Sequence, residues 1–211
     1  RLAEHQAGKS TTPEAERILL QALALGEQLA REYPQRPEFA AGLARFQQSA
    51  GRLLAARKDP DAGRYYQAAV ETARGAWERA ERRPGLQAAL AAHWQAWADY
   101  LIGQGEIAAA ARVADELART FPAGAAEQHQ AARLLTRCIP LADLVKGDER
   151  IEEQTVVDFC TNRALHLLRE AVRRGEADPA ELASDSAFAP LRNAAGFEEL
   201  VDPPPSTDPR E

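Results

Sequence analysis

Trp94-Gln-Ala-Trp-Ala98-Asp-Tyr-Leu101-Ile-Gly-Gln-Gly105-Glu-Ile-Ala-Ala-Ala110-Ala-Arg-Val-Ala114-Asp-Glu-Leu117-Ala-Arg-Thr-Phe121-Pro122 is the stretch that decides the fold class of this chain. Large and small residues recur at helical spacing on both sides of a glycine, so it reads as one helix, a tight turn and a second helix. Trp94 and Leu101 put bulk on one face of the first helix, and Ala98 between them lets a neighbouring helix approach. Gly105 supplies the turn, because glycine adopts left-handed backbone without a steric penalty. Ala110, Ala114 and Leu117 mark the packed face of the returning helix. Pro122 stops it, since proline lacks an amide hydrogen and disfavours helix at the preceding Phe121.

The same offsets occur forty-eight positions upstream, where Phe46, Ala50, Leu53, Ala62, Tyr66 and Ala69 take the corresponding places. Arg57 stands at the position of the turn glycine and Arg74 at that of the proline, so this second helix is predicted to run on towards Pro84. Ala22, Gly26, Leu29 and Pro34 repeat only the second-helix half near the N-terminus, and Ala164, Leu168 and Ala171 repeat it near the C-terminus. The leading alanines, Ala22, Ala62, Ala110 and Ala164, lie 40, 48 and 54 residues apart. The series from Trp94 to Pro122 resembles a tetratricopeptide (TPR) repeat, whose standard length is about 34 residues, whereas HEAT and armadillo repeats run about 40 to 47. The resemblance implies an all-α, right-handed solenoid of antiparallel helix pairs with irregular, long repeats. A HEAT-like helical repeat is the alternative. The unpaired helix near residues 13–33 further implies that the array continues upstream of Arg1.

Composition agrees with an all-helical chain. The 211 residues are rich in Ala, Leu, Arg and Glu and poor in aromatic and β-branched residues, and no convincing strand pattern occurs. A net charge of −6 argues against general nucleic-acid binding, which rests on clustered Lys and Arg. The one dense basic cluster, Arg79, Arg82 and Arg83, reads as a solvated helix end whose cations suit the helix dipole. The abundance of Arg over Lys points to a GC-rich bacterial genome. No run of about twenty apolar residues and no signal-peptide pattern is present, so this chain is not expected to insert into a membrane. A first residue of Arg reads as an excised or processed piece. A cytoplasmic setting is expected, with the outer side of a membrane-anchored parent as the alternative. Cys138 and Cys160 lack metal-ligand spacing and read as buried free thiols; a single bridge between adjacent helices is the alternative.

The spacing divides the chain into a frayed segment at 1–11, a repeat domain at 12–202 and a disordered Pro-rich tail at 203–211. Within the domain, repeats are placed at about 12–83, 84–122 and 123–175, with a cap at 176–202. Thr12 as N-cap and Pro13 open a first helix reaching about Tyr33. Further helices are predicted over about 38–57, from the Lys58 to Asp61 turn to near Arg83, over 86–102 and 106–120, and from Ala125. Pro140 must kink or end that sixth helix. A charged connector, Lys146 to Glu152, leads into a seventh helix that reaches Arg174, with Gly175 at its C-cap. Asp178, Pro179 and Glu181 open a short helix. Phe188, Leu191, Phe197 and Leu200 are then the apolar anchors of a cap over the last helices, as open arrays require.

Three stretches go beyond a generic repeat: Arg31-Glu-Tyr-Pro-Gln-Arg-Pro-Glu-Phe39; Leu135-Thr-Arg-Cys-Ile-Pro-Leu-Ala142; and Asn162-Arg-Ala-Leu-His-Leu-Leu-Arg-Glu-Ala-Val172 with the later Asp185, Phe188, Leu191-Arg192 and Phe197. Together they resemble the C-terminal TPR region of planctomycete-type bacterial serine/threonine protein kinases and related TPR proteins. In that family a kinase domain precedes the repeats, often with a membrane-spanning segment between them. The kinase glycine-rich loop, Val-Ala-Ile-Lys strand, His-Arg-Asp loop and Asp-Phe-Gly element do not occur in these 211 residues. The resemblance therefore implies an interaction region and no kinase activity for this chain.

Site chemistry finds little support. His5, His93, His129 and His166 are scattered, with no His-Glu-x-x-His or Cys-x-x-Cys pairing, so neither metal nor cofactor is expected. His166 reads as a partly exposed helix residue. Gly103-Gln-Gly105 lies in a helix-helix turn and not after a strand, which removes a phosphate-cradling role. Glu152 and Glu153 are helix neighbours that do not face each other, and Ser49, Thr72 and Ser186 have no base implied beside them. No catalytic residue is assigned. The least favoured reading, an enzyme or small-molecule binder, would need a pocket gathering Asp99, His129 and Arg133.

The TPR resemblance places partner binding on the concave face of the first helices. There it picks out Ala44, Gln47, Gln48, Gly51 and Leu54 in one repeat and Ala92, Gln95, Ala96, Asp99 and Ile102 in the next. Repeats that clamp carboxylate termini use Lys, Arg and Asn at such places, and none of those stands here. Gln47, Gln48, Leu54, Gln95, Asp99 and Ile102 are therefore the candidate contacts for a protein or peptide held by amide hydrogen bonds and apolar contact. A structural spacer or self-association is the alternative role.

Overall fold

The computed structural model describes residues 13–144 and 150–202. The expected N-terminal segment with its Thr12 cap, His5, most of the Lys146 to Glu152 connector and the tail from Pro203 lie outside those residues, as do the side chains of Glu152 and Glu153. All regular structure among the described residues is helical: α1 (Pro13–Glu32), α2 (Pro37–Ala56), α3 (Ala62–Arg79), α4 (Pro84–Gln104), α5 (Ile107–Thr120), α6 (Ala125–Cys138), a 3-10 helix (Ile139–Leu144), α7 (Arg150–Arg173), α8 (Pro179–Ser184), a second 3-10 helix (Ser186–Leu191) and α9 (Glu198–Val201). Packing divides the chain into two compact units, with the division falling inside α4 between Trp97 and Ala98.

Helix ends follow one recurring closure. Asp59 N–H donates to Leu54 O, Arg82 to Trp77, Glu106 to Leu101 and Glu176 to Ala171, each with a left-handed residue just before the donor. That residue is Gly105 (φ 76°) or Gly175 (φ 70°) in two cases and Lys58 (φ 57°) or Glu81 (φ 52°) in the others. This is the hydrogen-bond pattern that satisfies the orphan carbonyls of a helix C-terminus. It explains two departures from the sequence reading. The turn after α2 comes at Lys58, one residue later than the offset from Gly105 gives. α3 ends at Arg79 and does not continue to Arg83, because Glu81 and Arg82 both turn left-handed. Arg82 is then not a free surface cation: its guanidinium lies over the Trp77 ring, 5.4 Å from the centroid.

In the first unit α1 packs on α2 and α2 on α3. Connections of four or five residues make these neighbours antiparallel. Leu23 of α1 meets Leu43 and Ala50 of α2, with Leu19, Ala30 and Tyr65 around them. The α2/α3 contact is close because Gly51 has no side chain: a Cβ there would fall 2.9 Å from the Tyr66 ring and 3.3 Å from the Ala62 carbonyl oxygen. Ala62, Tyr66 and Ala69, the residues that match Ala110, Ala114 and Leu117 in the offset, are buried along this contact.

In the second unit α5 packs on α6 and α6 on α7. The buried faces are those of the repeat series: Ala98, Leu101, Ala110, Ala114, Leu117 and Phe121 are all enclosed. Gln128 pins the turn between α5 and α6 by donating to the carbonyls of Ala118 and Phe121 at 2.7 and 2.6 Å. α6 ends at Cys138 and passes into the 3-10 helix that contains Pro140, as the proline requires. α7 begins at Arg150, inside the segment expected to be a connector. Asp178 caps α8 by accepting from Ala180 N–H at 2.8 Å. Phe188, Leu191, Phe197 and Leu200 are buried, and the 3-10 helix Ser186–Leu191 packs on α6 while α9 packs on α7 and α8.

Candidate functional site

The first unit contains a cleft of about 310 Å3 between α1, α2 and α3. Leu23 and Glu27 stand one turn apart on α1 and so share a face. Gln47 comes from the middle of α2. Asp61 at the start of α3 and Arg64, Tyr65 and Ala68 on its first two turns complete the lining. Leu23 and Ala68 give the cleft an apolar part, whereas Glu27, Asp61 and Arg64 charge its edge. Arg64 reaches Asp61 at 3.3 Å across an exposed pair, which is worth little by itself and is readily exchanged for another partner. The Gln47 amide oxygen is enclosed and accepts no hydrogen bond.

The structure distributes the residues nominated from the sequence in several ways. Gln47 lines the cleft, Gln48 and Leu54 are half-buried on α2, and Gln95 is exposed on α4. Ala44 is fully buried and Gly51 is buried against Tyr66 of α3, so neither is open to a partner. Phe46, placed as a packing residue, is 39% exposed. In the second unit Ile102 is half-buried, and Asp99 pairs with Arg137 at 2.6 Å.

The grouping of Asp99, His129 and Arg133 takes a different form from a single pocket. Asp99 is held by Arg137, while Arg133 reaches Asp185 at 2.9 Å and His129 stacks edge-on against Phe188 with centroids 5.3 Å apart. Asp185 also accepts from Ala187 N–H at 2.8 Å; this bond first, and then Arg133, holds its carboxyl below the usual range. Burial lowers the His129 pKa, helped by Arg133 and opposed by Asp185. Asp185 is thereby committed to capping and pairing. Among the described residues, no group of three or more His, Cys, Asp and Glu side chains could hold a metal ion.

His93 is the strongly displaced base of the first unit. It is 4% exposed, its Nδ1 has no hydrogen-bond partner, and burial together with Arg45 and Arg52 of α2 pushes its pKa from 6.5 down to about 4. Between those values the unfolded chain takes up a proton at this imidazole that the folded chain refuses. Stability is therefore intact above pH 6.5 and falls as pH drops towards 4, by about 2 kcal/mol between pH 7 and pH 5. Urea midpoints at these two pH values should separate for the native chain and draw together in His93→Gln. A separation that persists unchanged in His93→Gln would assign the effect to other groups.

Sequence reasoning singled out Gln47 but missed the rest of the cleft. Glu27 and Tyr65 lie outside the first-helix positions to which the repeat resemblance directs attention, and Asp61 was read as part of a turn. Arg45 and Arg52 were missed beside His93; their spacing of seven puts them on one face, a signal that was available. With this geometry established, comparison with protein-family models, with curated proteins and with solved structures gives no match. No described helix is long and apolar enough to cross a membrane.

Proposed function

We propose that this chain is a non-catalytic protein-interaction module of TPR type, the repeat region of a bacterial signalling protein with a serine/threonine kinase-like parent. The carrying observation is the cleft between α1, α2 and α3. Its volume of about 310 Å3 lies at the lower end of small-molecule sites, which span roughly 300–1,000 Å3. A space of that size suits one or two side chains of a partner better than a cofactor. Its composition sets their chemistry: aliphatic contact on Leu23 and Ala68, the Tyr65 ring beside them, and two carboxylates against one guanidinium at the edge. A partner segment with an apolar residue next to a Lys or Arg fits this lining. The parentage rests on the resemblance carried by residues 31–39, 135–142 and 162–172.

The test is pull-down from a bacterial lysate with the intact chain as bait, compared with a Glu27→Lys, Asp61→Lys double variant and with Gln47→Ala, Gln95→Ala. Charge reversal is expected to remove the retained partner set, with circular dichroism and urea midpoint unchanged. Partners kept by both variants would sink the cleft reading. Self-association is the second reading, because α1 exposes Ile18 (53%) and Leu25 (56%) seven residues apart on one face. Light scattering that finds a dimer in the native chain and a monomer in Ile18→Glu, Leu25→Glu would favour it.

A further inference from the structure

We propose that Cys138 and Cys160 form an oxidation site at which the chain closes an intramolecular disulfide between α6 and α7. Both cysteines are free and fully enclosed, Cys138 as the last residue of α6 and Cys160 on the neighbouring α7. The helices that carry them pack directly on each other. The thiol of Cys160 hydrogen-bonds the sulfur of Cys138. Two sulfurs in hydrogen-bond contact need only a small rotation of each side chain to approach the S–S bond length of about 2.05 Å.

The hydrogen bond also divides the chemistry between them. It favours the thiolate at Cys138, opposed by burial and helped by Arg137, whereas the same hydrogen bond first and then burial hold the proton on Cys160. Cys138 is thus the attacking sulfur and Cys160 the resolving one. The oxidant is a hydroperoxide, with hydrogen peroxide as the smallest. The Cys138 thiolate attacks one peroxide oxygen, the O–O bond breaks, and the departing hydroxide takes up a proton to leave as water. Cys138 then carries a sulfenic acid. The Cys160 sulfur attacks it, the S–O bond breaks, and the leaving hydroxide carries off the Cys160 proton as a second water. In sum two S–H groups lose two electrons and two protons, and one peroxide becomes two waters.

Enclosure restricts the oxidant to a very small molecule and requires local opening. The place for that opening is the C-terminal end of α6, since helix ends open at lower cost than helix middles. The bond would close a loop of roughly twenty residues, which limits the unfolded chain and raises the melting temperature by roughly 5–10 °C. Glutathione-sized disulfides are too large to reach the pair in the folded chain.

The experiment exposes the intact native chain to hydrogen peroxide, then unfolds it and alkylates every remaining thiol. Both thiols should disappear together, with a net loss of two hydrogens in the intact mass. Digestion should join the peptides that hold Cys138 and Cys160, and dithiothreitol should restore both thiols and the lower melting temperature. In Cys160→Ser the sulfenic acid at Cys138 should persist long enough for a dimedone trap; Cys160→Ala serves if the serine variant folds poorly. Independent conversion of either sulfur to sulfinic acid would overturn the proposal. So would a bridged dimer, or thiols untouched at a peroxide dose that oxidises the urea-unfolded chain.

Discussion

Replacing Phe188 by alanine is expected to destabilise the C-terminal unit by about 4 kcal/mol, the range found when a fully buried aromatic side chain is removed. The Phe188 side chain is completely enclosed and meets the His129 ring edge-on, at 5.3 Å between centroids and 87° between planes. It belongs to the short 3-10 helix Ser186–Leu191, which cannot hold itself together in water; its attachment to α6 is what orders it. Asp185 starts this element and receives Arg133 of α6, but that ion pair is partly exposed and weak. Burial of Phe188 and Leu191 is therefore the main adhesive. Urea unfolding should show the lost midpoint, while Phe188→Leu should retain all but about 1.5 kcal/mol.

A second readout separates loss of the cap from loss of the unit. Burial is the largest cause of the lowered His129 pKa, so removing the ring that covers it should let this pKa rise towards 6.5. Proton NMR of the imidazole across pH 4 to 8 reads that directly. A stability loss below 1 kcal/mol with an unmoved His129 titration would mean that residues 179–201 contribute little to the packing of α6.

The local devices of this fold were legible in the sequence because each depends on a few neighbouring residues. Gly105 takes the left-handed turn, Pro140 ends α6 as a helix, and Asp178 caps α8, all as their types require. The Trp94 to Pro122 series predicted a buried face, and Trp94, Ala98, Leu101, Ala110, Ala114 and Leu117 are buried. What escaped depends on contacts distant in sequence or on a choice between equals. Lys58 and Glu81 adopt left-handed backbone that their residue types do not announce, so the turn after α2 and the end of α3 fall where offset counting does not put them. Phe46 matches Trp94 in the offset yet stands 39% exposed: it shares the α1-facing side of α2 with Leu43, where a Cβ at Gly26 would meet its ring at 3.4 Å, and only part of the ring is covered there. The cleft joins Glu27, Gln47 and Asp61 across three helices. No spacing rule within one helix could have gathered them, and only Gln47 stood among the nominated contacts.

Asp115→Ala is expected to cost about 3 kcal/mol, an effect out of proportion to a typical ion pair. Asp115 lies on α5 with a side chain only 6% exposed, and its two oxygens serve two arginines: Oδ1 accepts from Arg163 Nε of α7 at 2.6 Å, and Oδ2 meets Arg119 one turn along α5 at 2.7 Å. Arg119 is 64% exposed and loses little when the carboxylate goes, since water replaces it. Arg163 is the costly partner. Its side chain is 25% exposed, and its Nε–H points into the α5/α7 contact, where removal of the carboxylate leaves a cation without its counter-charge. Asp115→Asn keeps an acceptor oxygen and should cost less, while Asp115→Ala combined with Arg163→Met should recover much of the loss because the stranded charge is gone. The coupling energy from this double-mutant cycle, measured by urea unfolding, is the decisive quantity. Salt provides an independent check. A pair this enclosed is poorly screened, so the coupling should change little between 0.05 and 0.5 M NaCl, concentrations at which exposed pairs such as Arg17 with Glu14 lose most of theirs. A single-mutant loss under 1 kcal/mol with a salt-sensitive coupling would place Asp115 among the surface pairs and leave apolar packing alone to hold α7 against α5.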